Sequence, residues 1–313
     1  MRIAIIDLGT NTFNLLVADV RSNKTYTPVF QTKIAVKLGE GGISKGFIAD
    51  AAFNRGIEAL ITYSKTIEEH NVAKVFAVAT SAIRGASNGK AFVQKAHEKT
   101  GIAIDVISGE QEAETIYYGV RDAVVMNDTN SLIIDIGGGS TEFVIANKHT
   151  ILWKQSFLLG VARLLELLKP SDPITDEEIE RCENYLRKEL QPLFDAVKQY
   201  PIQELIGSSG SFDSIAEMVA HKFYTPSLLD DKTEFEFNLE HCNVIHQMIL
   251  KSTLHERLNM KGLVAMRVDM IVISSILVNF VLSEFSIKKM RLSTYSLKEG
   301  VLSQILNSLQ VVT

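Results

Sequence analysis

The chain has 313 residues, of which 46% are hydrophobic and 22% are charged, and its formal net charge is −5. This composition is that of an ordinary globular protein and excludes a fibrous or wholly disordered chain. The negative charge argues against a protein that binds nucleic acid or anionic membranes broadly. The two cysteines form no short motif and are typical of reduced thiols, so we expect a cytoplasmic protein. The length predicts about two domains.

The chain opens with an apolar segment, residues 1–7, that predicts a β-strand and lacks the layout of a signal peptide. Its most apolar stretch, 270–278, contains two serines and is bounded by charged residues. A membrane-spanning helix needs about 20 predominantly apolar residues. The stretch therefore predicts a buried core helix, and we expect no membrane partner.

A repeat at half-chain distance is the most informative pattern. The sequence IIDLG at 5–9 recurs as IIDIG at 133–137, an offset of 128 (135 minus 7), and LVA at 16–18 matches VIA at 144–146 with the same offset. Each copy is an apolar run, a turn with Asp and small residues, and a second apolar run, which predicts two strands joined by a tight turn. We therefore predict two homologous domains, 1–127 and 128–313, divided at the polar segment NDTN.

Between and after the two copies, predicted strands alternate with predicted helices. Strands are expected at 73–80, 102–107, 204–206 and 287–292, and helices at 88–100, 110–126, 159–168, 176–198 and 211–220, with further helices towards the end. This alternation predicts the α/β fold class, in which helices cover largely central sheets.

The two turns are candidate phosphate-binding sites. Glycines allow backbone N–H groups to approach phosphate oxygens, and short polar side chains add donors. An aspartate at the end of each first strand can hold Mg²⁺ against those phosphates. The candidate metal ligands are Asp7 and Asp135, and the candidate phosphate-binding residues are Thr10, Asn11, Gly137, Gly138, Gly139 and Ser140. In the alternative, these residues merely form hairpin turns in which Asp caps the backbone.

Two further features are open to either of two interpretations. The segment Gly207, Ser208 and Ser209 follows a predicted strand and precedes a helix, so it suits anion binding or simple helix capping. Glu142 begins the second strand of its repeat, where it could help to hold a metal ion or a water; it could equally be an exposed carboxylate at a strand end.

Seven segments together carry a family resemblance. They are 7–13, 37–41, 79–84, 107–113, 137–142, 159–164 and 267–269, in family order over nearly the whole chain. On these segments the sequence resembles the exopolyphosphatase/guanosine pentaphosphate phosphohydrolase (Ppx/GppA) family of the acetate and sugar kinase, heat-shock protein and actin superfamily. The resemblance implies two duplicated ribonuclease-H-like (actin-like) domains with the active site in the cleft between them.

The resemblance also assigns catalytic residues. It implies that Glu112 is the catalytic carboxylate, placed in the first turn of a helix where it could deprotonate a water. Without the resemblance, the preferred interpretation would be that Glu110, Glu112 and Glu114 are present only because acidic side chains are favourable near the positive N-terminus of a helix. Arg84 lies in a matched motif and is expected to clamp phosphate, although a loop arginine is usually a surface charge.

The expected function is a metal-dependent phosphoanhydride hydrolase. It would release terminal phosphate from inorganic polyphosphate or guanosine pentaphosphate, with Mg²⁺ or Mn²⁺ held by Asp7, Asp135 and Glu142. The alternative is a sensor that binds polyphosphate or guanosine tetraphosphate with little turnover. A homodimer is the assembly to consider. We expect no nucleic-acid partner. The sequence also departs from the family pattern at 294–300, and it stops before the helical extension of long members, so low processivity is expected.

Overall fold

The structure, a computed structural model, describes residues 1–308 and contains two β-sheets flanked by helices. The last five residues of the predicted 128–313 unit lie outside the described residues.

The first sheet has five strands in the order β3-β2-β1-β4-β5. The strands are β1 (Arg2–Leu8), β2 (Thr12–Val20), β3 (Tyr26–Ala35), β4 (Lys74–Ala79) and β5 (Ile104–Val106). The first three form an antiparallel meander, and β4 and β5 continue the sheet in parallel to β1. The helices of this half are α1 (Asp50–Glu69), α2 (Ser81–Arg84), α3 (Gly89–Thr100) and α4 (Gly109–Ala123).

The second sheet has six strands in the order β10-β11-β9-β6-β7-β8. The strands are β6 (Ser131–Ile136), β7 (Thr141–Ala146), β8 (Ile151–Phe157), β9 (Glu204–Ser208), β10 (Glu234–Phe237) and β11 (Met290–Ser293). The helices are α5 (Val161–Leu168), α6 (Asp176–Glu189), α7 (Gln191–Gln199), α8 (Gly210–Phe223), α9 (Leu239–Leu250), α10 (Leu254–Leu258), α11 (Ile271–Glu284) and α12 (Leu297–Ser308).

The two sheets share one topology. Strands β6, β7 and β8 form an antiparallel meander like that of β1, β2 and β3, and β9 and β11 run parallel to β6 as β4 and β5 do to β1. The repeat seen in the sequence extends to the pairing register, because Asp7 pairs with Asn14 and Asp135 pairs with Glu142, both shifted by 128 positions. Strand β10 is an addition to the second sheet.

The core between the two halves is built from both of them. Ile3 and Ile5 of β1 cluster with Ile133 of β6 and Val144 of β7, and helices α4 and α12 supply further apolar side chains. Helix α12 packs closely on α4 and also contacts β1. The division at residue 127 stays a prediction, since the last helix joins the core of the first half.

Three predictions about local structure need correction. The helix predicted at 176–198 is two helices, α6 and α7, because Pro192 stands in the first turn of α7 and proline cannot continue a helix from the preceding turn. Strands β3 and β8 were not predicted, and β10 interrupts a region expected to be helical. Other helix and strand ends differ from prediction by a few residues.

The apolar stretch at 270–278 begins at the N-cap of α11, Met270, and continues into the helix, whose residues are buried from Ile271 to Val278, as predicted. Among residues 1–308, no helix combines the length and the apolar character needed to cross a membrane.

Candidate active site

A cavity of about 560 Å³ lies between the two halves. Ten of the residues singled out from the sequence line it: Asp7, Thr10, Asn11, Glu112, Asp135, Gly137, Gly138, Gly139, Ser140 and Ser209. Residues that are more than 100 positions apart in the chain therefore meet in one space.

The first turn presents Asp7 from the end of β1. Asn14, its partner across the β1–β2 pair, donates a hydrogen bond from Nδ2 to Asp7 Oδ2 at 2.9 Å. Burial raises the pKa of Asp7 to about 6, although this hydrogen bond and the charge of Lys298 oppose the shift. Gly9 is required in the turn, because a Cβ there would lie 2.8 Å from the carbonyl oxygen of Thr12.

The second turn presents Asp135 from the equivalent position of β6. Ser208 at the end of β9 donates from Oγ to Asp135 Oδ2 at 2.6 Å. Burial raises the pKa of Asp135, and the hydrogen bond from Ser208 works in the opposite direction. Ser208 therefore orients the aspartate and does not line the cavity itself.

The two turns contact each other across the cavity. A Cβ on Gly138 would lie 2.2 Å from Asn11 Nδ2, and a Cβ on Gly139 would lie 2.5 Å from Thr10 Oγ1. Only glycines allow this approach. Backbone amides of the second half and the side chains of Thr10 and Asn11 are thus close enough to contact one phosphate chain.

Glu112 enters the cavity from the first turn of α4. Ser108 and Gln111 form a capping box that starts this helix after β5. The residue is 6% exposed, and its carboxylate accepts a hydrogen bond from Arg84 Nη1 at 2.8 Å. Burial, followed by the nearby charge of Glu142, raises the pKa of Glu112 well above its usual range. Such a buried carboxylate in a cleft has the character of a general base.

Arg84 lies beside Glu112 and not in the wall of the cavity. Its Nη1 also donates to the carbonyl oxygen of Ile107 at 2.9 Å, so the guanidinium bridges the end of β5 and the start of α4. The expected clamp on phosphate stays a prediction; in this structure Arg84 holds the carboxylate of the candidate base.

Glu142 is buried behind the second turn, with 1% of its surface exposed. It accepts a hydrogen bond from Ser156 Oγ at 2.7 Å and lies opposite Asp135 in the β6–β7 pair. Burial and then the charge of Asp135 raise the pKa of Glu142 to about 7. The alternative interpretation, that Glu142 is an exposed carboxylate at a strand end, is therefore wrong.

The segment 207–209 divides into three environments. Gly207 lies inside β9 with the ring of Phe212 against it, so it is a packing position away from the cavity. Ser208 holds Asp135, and Ser209 lines the cavity while its Oγ donates to the carbonyl oxygen of Ile136 at 3.1 Å.

Several residues of the cavity were not assigned from the sequence, and four of them carry polar or charged side chains that bear on the site. They are Ser81, Asp213, Arg267 and Lys298. Within residues 1–308, the buried hydroxyl of Ser81 has no hydrogen-bond partner. Burial raises the pKa of Asp213 to about 6, opposed by the charges of Arg267 and Lys298. Ser81 and Arg267 belong to the matched segments, so the sequence signal for these two was present.

The donor set of the cavity fits a hard cation. Magnesium prefers oxygen ligands and is usually held by one or two carboxylates together with substrate phosphates. Asp7 and Asp135 supply such carboxylates on one cavity, with Glu142 behind them. In the described part of the chain, no three Asp, Glu, His or Cys side chains form a metal cage.

Comparisons with known proteins agree with this architecture. A crystal structure of an exopolyphosphatase from Cytophaga hutchinsonii superimposes with a TM-score of 0.94 and is 39% identical, with 100% of both chains covered. The crystal structure of the Ppx/GppA family member from Aquifex aeolicus has a TM-score of 0.80 and 25% identity and covers 98% of each chain.

A protein of Haemophilus influenzae that is provisionally named an exopolyphosphatase is 29% identical over 309 residues, which are 99% of this chain and 93% of the relative. The predicted α/β fold with two actin-like halves is confirmed. The Ppx/GppA phosphatase family model matches residues 16–309, so the chain belongs to the Ppx/GppA phosphatase family.

Proposed function

We propose that this protein is an exopolyphosphatase, which removes the terminal phosphate of inorganic polyphosphate by attack of water. The observation that carries the proposal is that the candidate base Glu112 and both phosphate-binding turns line one cavity. The names of the Cytophaga hutchinsonii and Haemophilus influenzae relatives support the same activity.

In the proposed reaction, the turns bind and orient the end of the chain. Amides of Gly138 and Gly139 and the side chains of Thr10 and Asn11 donate to phosphate oxygens. Glu112, held by Arg84, accepts a proton from the attacking water. The water oxygen bonds to the terminal phosphorus, the bridging P–O bond breaks, and its electron pair leaves with the shortened chain.

A divalent cation is part of the proposal. Asp7 and Asp135 would hold Mg²⁺ or Mn²⁺ against the phosphates, directly or through water, and Glu142 would support the ion from behind through water. When bound, the ion neutralises charge that develops on the phosphate oxygens. Because burial raises the pKa of each of the three carboxylates, a cation would also favour their ionised forms.

Guanosine pentaphosphate is proposed as a second substrate, since its terminal phosphoanhydride presents the same groups to Glu112. The proposed compartment is the cytoplasm. A pure sensor of polyphosphate or guanosine tetraphosphate is less favoured, because binding alone gives no reason for a buried base beside the phosphate turns.

The test is a side-by-side assay of phosphate release from short polyphosphate, long polyphosphate and guanosine pentaphosphate. We expect release from polyphosphate that stops with EDTA and returns when Mg²⁺ or Mn²⁺ is added in excess. Tight binding of polyphosphate without phosphate release under any of these conditions would refute the hydrolase and favour the sensor.

A further inference from the structure

The cavity that holds the candidate base also holds two lysines. Its lining includes Glu112 of α4, Lys33 on β3 and Lys298 at the start of α12. Lys298 lies near Asp7, because its charge acts on that carboxylate. We call the part of the cavity that Lys33 and Lys298 line its cationic end.

Lys298 is held firmly at the cationic end. Its Nζ is 2.5 Å from Glu299 Oε1, and the side chain is 21% exposed. The other carboxylate oxygen of Glu299 accepts a hydrogen bond from Ser296 N at 3.0 Å. Glu299 thus fixes both the start of α12 and the ammonium group of Lys298. The charge of Lys298 lowers the pKa of Asp7 and Asp213 against the effect of burial.

The position of Lys298 relative to Glu112 is set by close packing of α12 on α4. A Cβ on Gly119 would lie 2.3 Å from the carbonyl oxygen of Ser296, and a Cβ on Gly300 would lie 1.8 Å from that of Thr115. Glycines at these two points bring the helix backbones together. The helix that carries the candidate base therefore also locates Lys298.

The cationic end opens to solvent. Lys33 and Gln31 of β3 and Thr294 of the loop before α12 are exposed, and all three line the cavity. Strand β3 is the edge of its sheet, so no further strand covers this side. Tyr26 Oη donates to Tyr295 Oη at 3.0 Å and joins the edge strand to that loop. A chain that enters the cavity has an exit here.

We propose that Lys298 and Lys33 form a second anion-binding subsite, which holds the phosphates of the leaving polyphosphate chain while its end lies at Glu112. This inference rests on the proposed function and deepens it. Lys298 would contact phosphates inside the cavity, and Lys33 would contact phosphates further along the chain, at the opening. Because both lysines bind a part of the substrate that does not react, they should affect its binding more than the chemical step.

The test compares Lys298→Gln, Lys298→Arg and Lys33→Gln with the wild type. The control is Lys198→Gln, which removes the same charge from a side chain that is 76% exposed on α7. For each protein, KM and kcat are measured on tripolyphosphate and on long polyphosphate. Equilibrium binding of long polyphosphate and thermal unfolding are measured in parallel.

Loss of one charged contact to phosphate typically weakens binding about 10- to 100-fold. We expect Lys298→Gln to raise KM by at least about tenfold on both substrates with kcat within about threefold of wild type. Lys33→Gln should raise KM on long polyphosphate and leave tripolyphosphate nearly unchanged. Lys298→Arg, which keeps the charge, and Lys198→Gln should resemble the wild type.

A KM for Lys298→Gln and Lys33→Gln that matches Lys198→Gln on both substrates would overturn the subsite, and so would a fall in kcat without a change in KM. If Lys298→Gln fails to fold, Lys33→Gln decides the outcome, because Lys33 is exposed on the edge strand. If the wild type releases no phosphate, the proposed hydrolase fails, while the binding measurements still decide whether the two lysines hold polyphosphate.

Discussion

Replacing Glu112 by glutamine separates the chemistry of the site from its binding and folding. The side chain is buried in the first turn of α4 and holds one charged contact, the hydrogen bond from Arg84 at 2.8 Å. Glutamine keeps the size and an acceptor oxygen for Arg84, but it is far too weak a base to take a proton from water. Arg84 also keeps its bond to the carbonyl oxygen of Ile107.

The expected loss in kcat is that of a general base, about 10²–10⁴-fold. At about 1.4 kcal/mol per decade, this corresponds to roughly 3–5 kcal/mol of barrier. Stability should change little, because a carboxylate near a helix N-terminus contributes only about 0.3–1 kcal/mol. The negative charge of Glu112 is also expensive to bury beside Glu142, as the raised pKa of Glu112 indicates. Its removal therefore favours binding of an anionic substrate.

The assay measures phosphate release and equilibrium binding of a short polyphosphate on the same variant. Glu110→Gln is the matched control, since Glu110 lies in the same helical turn and is exposed. We expect Glu110→Gln to behave as the wild type and Glu112→Gln to bind but not turn over. Turnover of Glu112→Gln within about threefold of wild type, with binding and fold intact, would remove Glu112 from the mechanism.

Three further predictions follow from single contacts. Arg84→Ala should lower kcat more than Arg84→Lys does, because a lost charged hydrogen bond raises the activation barrier by about 1.5–3 kcal/mol. Equal rates of the two variants in steady-state assays would show that Arg84 does not position the base. Gly160→Ala should lower kcat/KM by about 10²-fold with the fold preserved in circular dichroism, because its Cβ would lie 2.4 Å or less from the backbone of 138–139 and displace that turn; a wild-type kcat/KM would refute this.

A third prediction concerns the pH dependence of stability. Arg291 and other partners lower the pKa of Glu204, although burial opposes them. The ion pair therefore stabilises the fold above pH about 4.5, and this stabilisation is lost as the pH falls through the lowered pKa. In urea unfolding, the stability difference between wild type and Glu204→Gln should shrink at low pH, and a constant difference would contradict the assignment.

Much of the fold was predictable because its signals are local. The repeat of apolar run, Asp-x-Gly turn and apolar run specified both hairpins, and the structure preserves the 128-residue offset in the pairing register of Asp135 with Glu142. The third strands were harder to predict. Strand β3 lies at a sheet edge and β8 is half-buried along most of its length, so neither forms a strong apolar run.

The site was predictable where one turn carries the chemistry, as at Asp7 and Asp135. It was less so where a role depends on tertiary contacts. The sequence predicts a contact of Arg84 with phosphate, and it did not reveal the contact with Glu112, which depends on the start of α4. Lys298 could not be assigned from the sequence, because only the packing of α12 on α4 brings it to the cavity.

The position of water attack tests the central claim most directly. Polyphosphate is hydrolysed by the wild type in water enriched in ¹⁸O, and the orthophosphate and the shortened chains are analysed by mass spectrometry. Attack at the terminal phosphorus predicts one ¹⁸O atom in each orthophosphate from the first turnover and none in the shortened chain. Label in the shortened chain, or orthophosphate without ¹⁸O, would contradict the proposed mechanism.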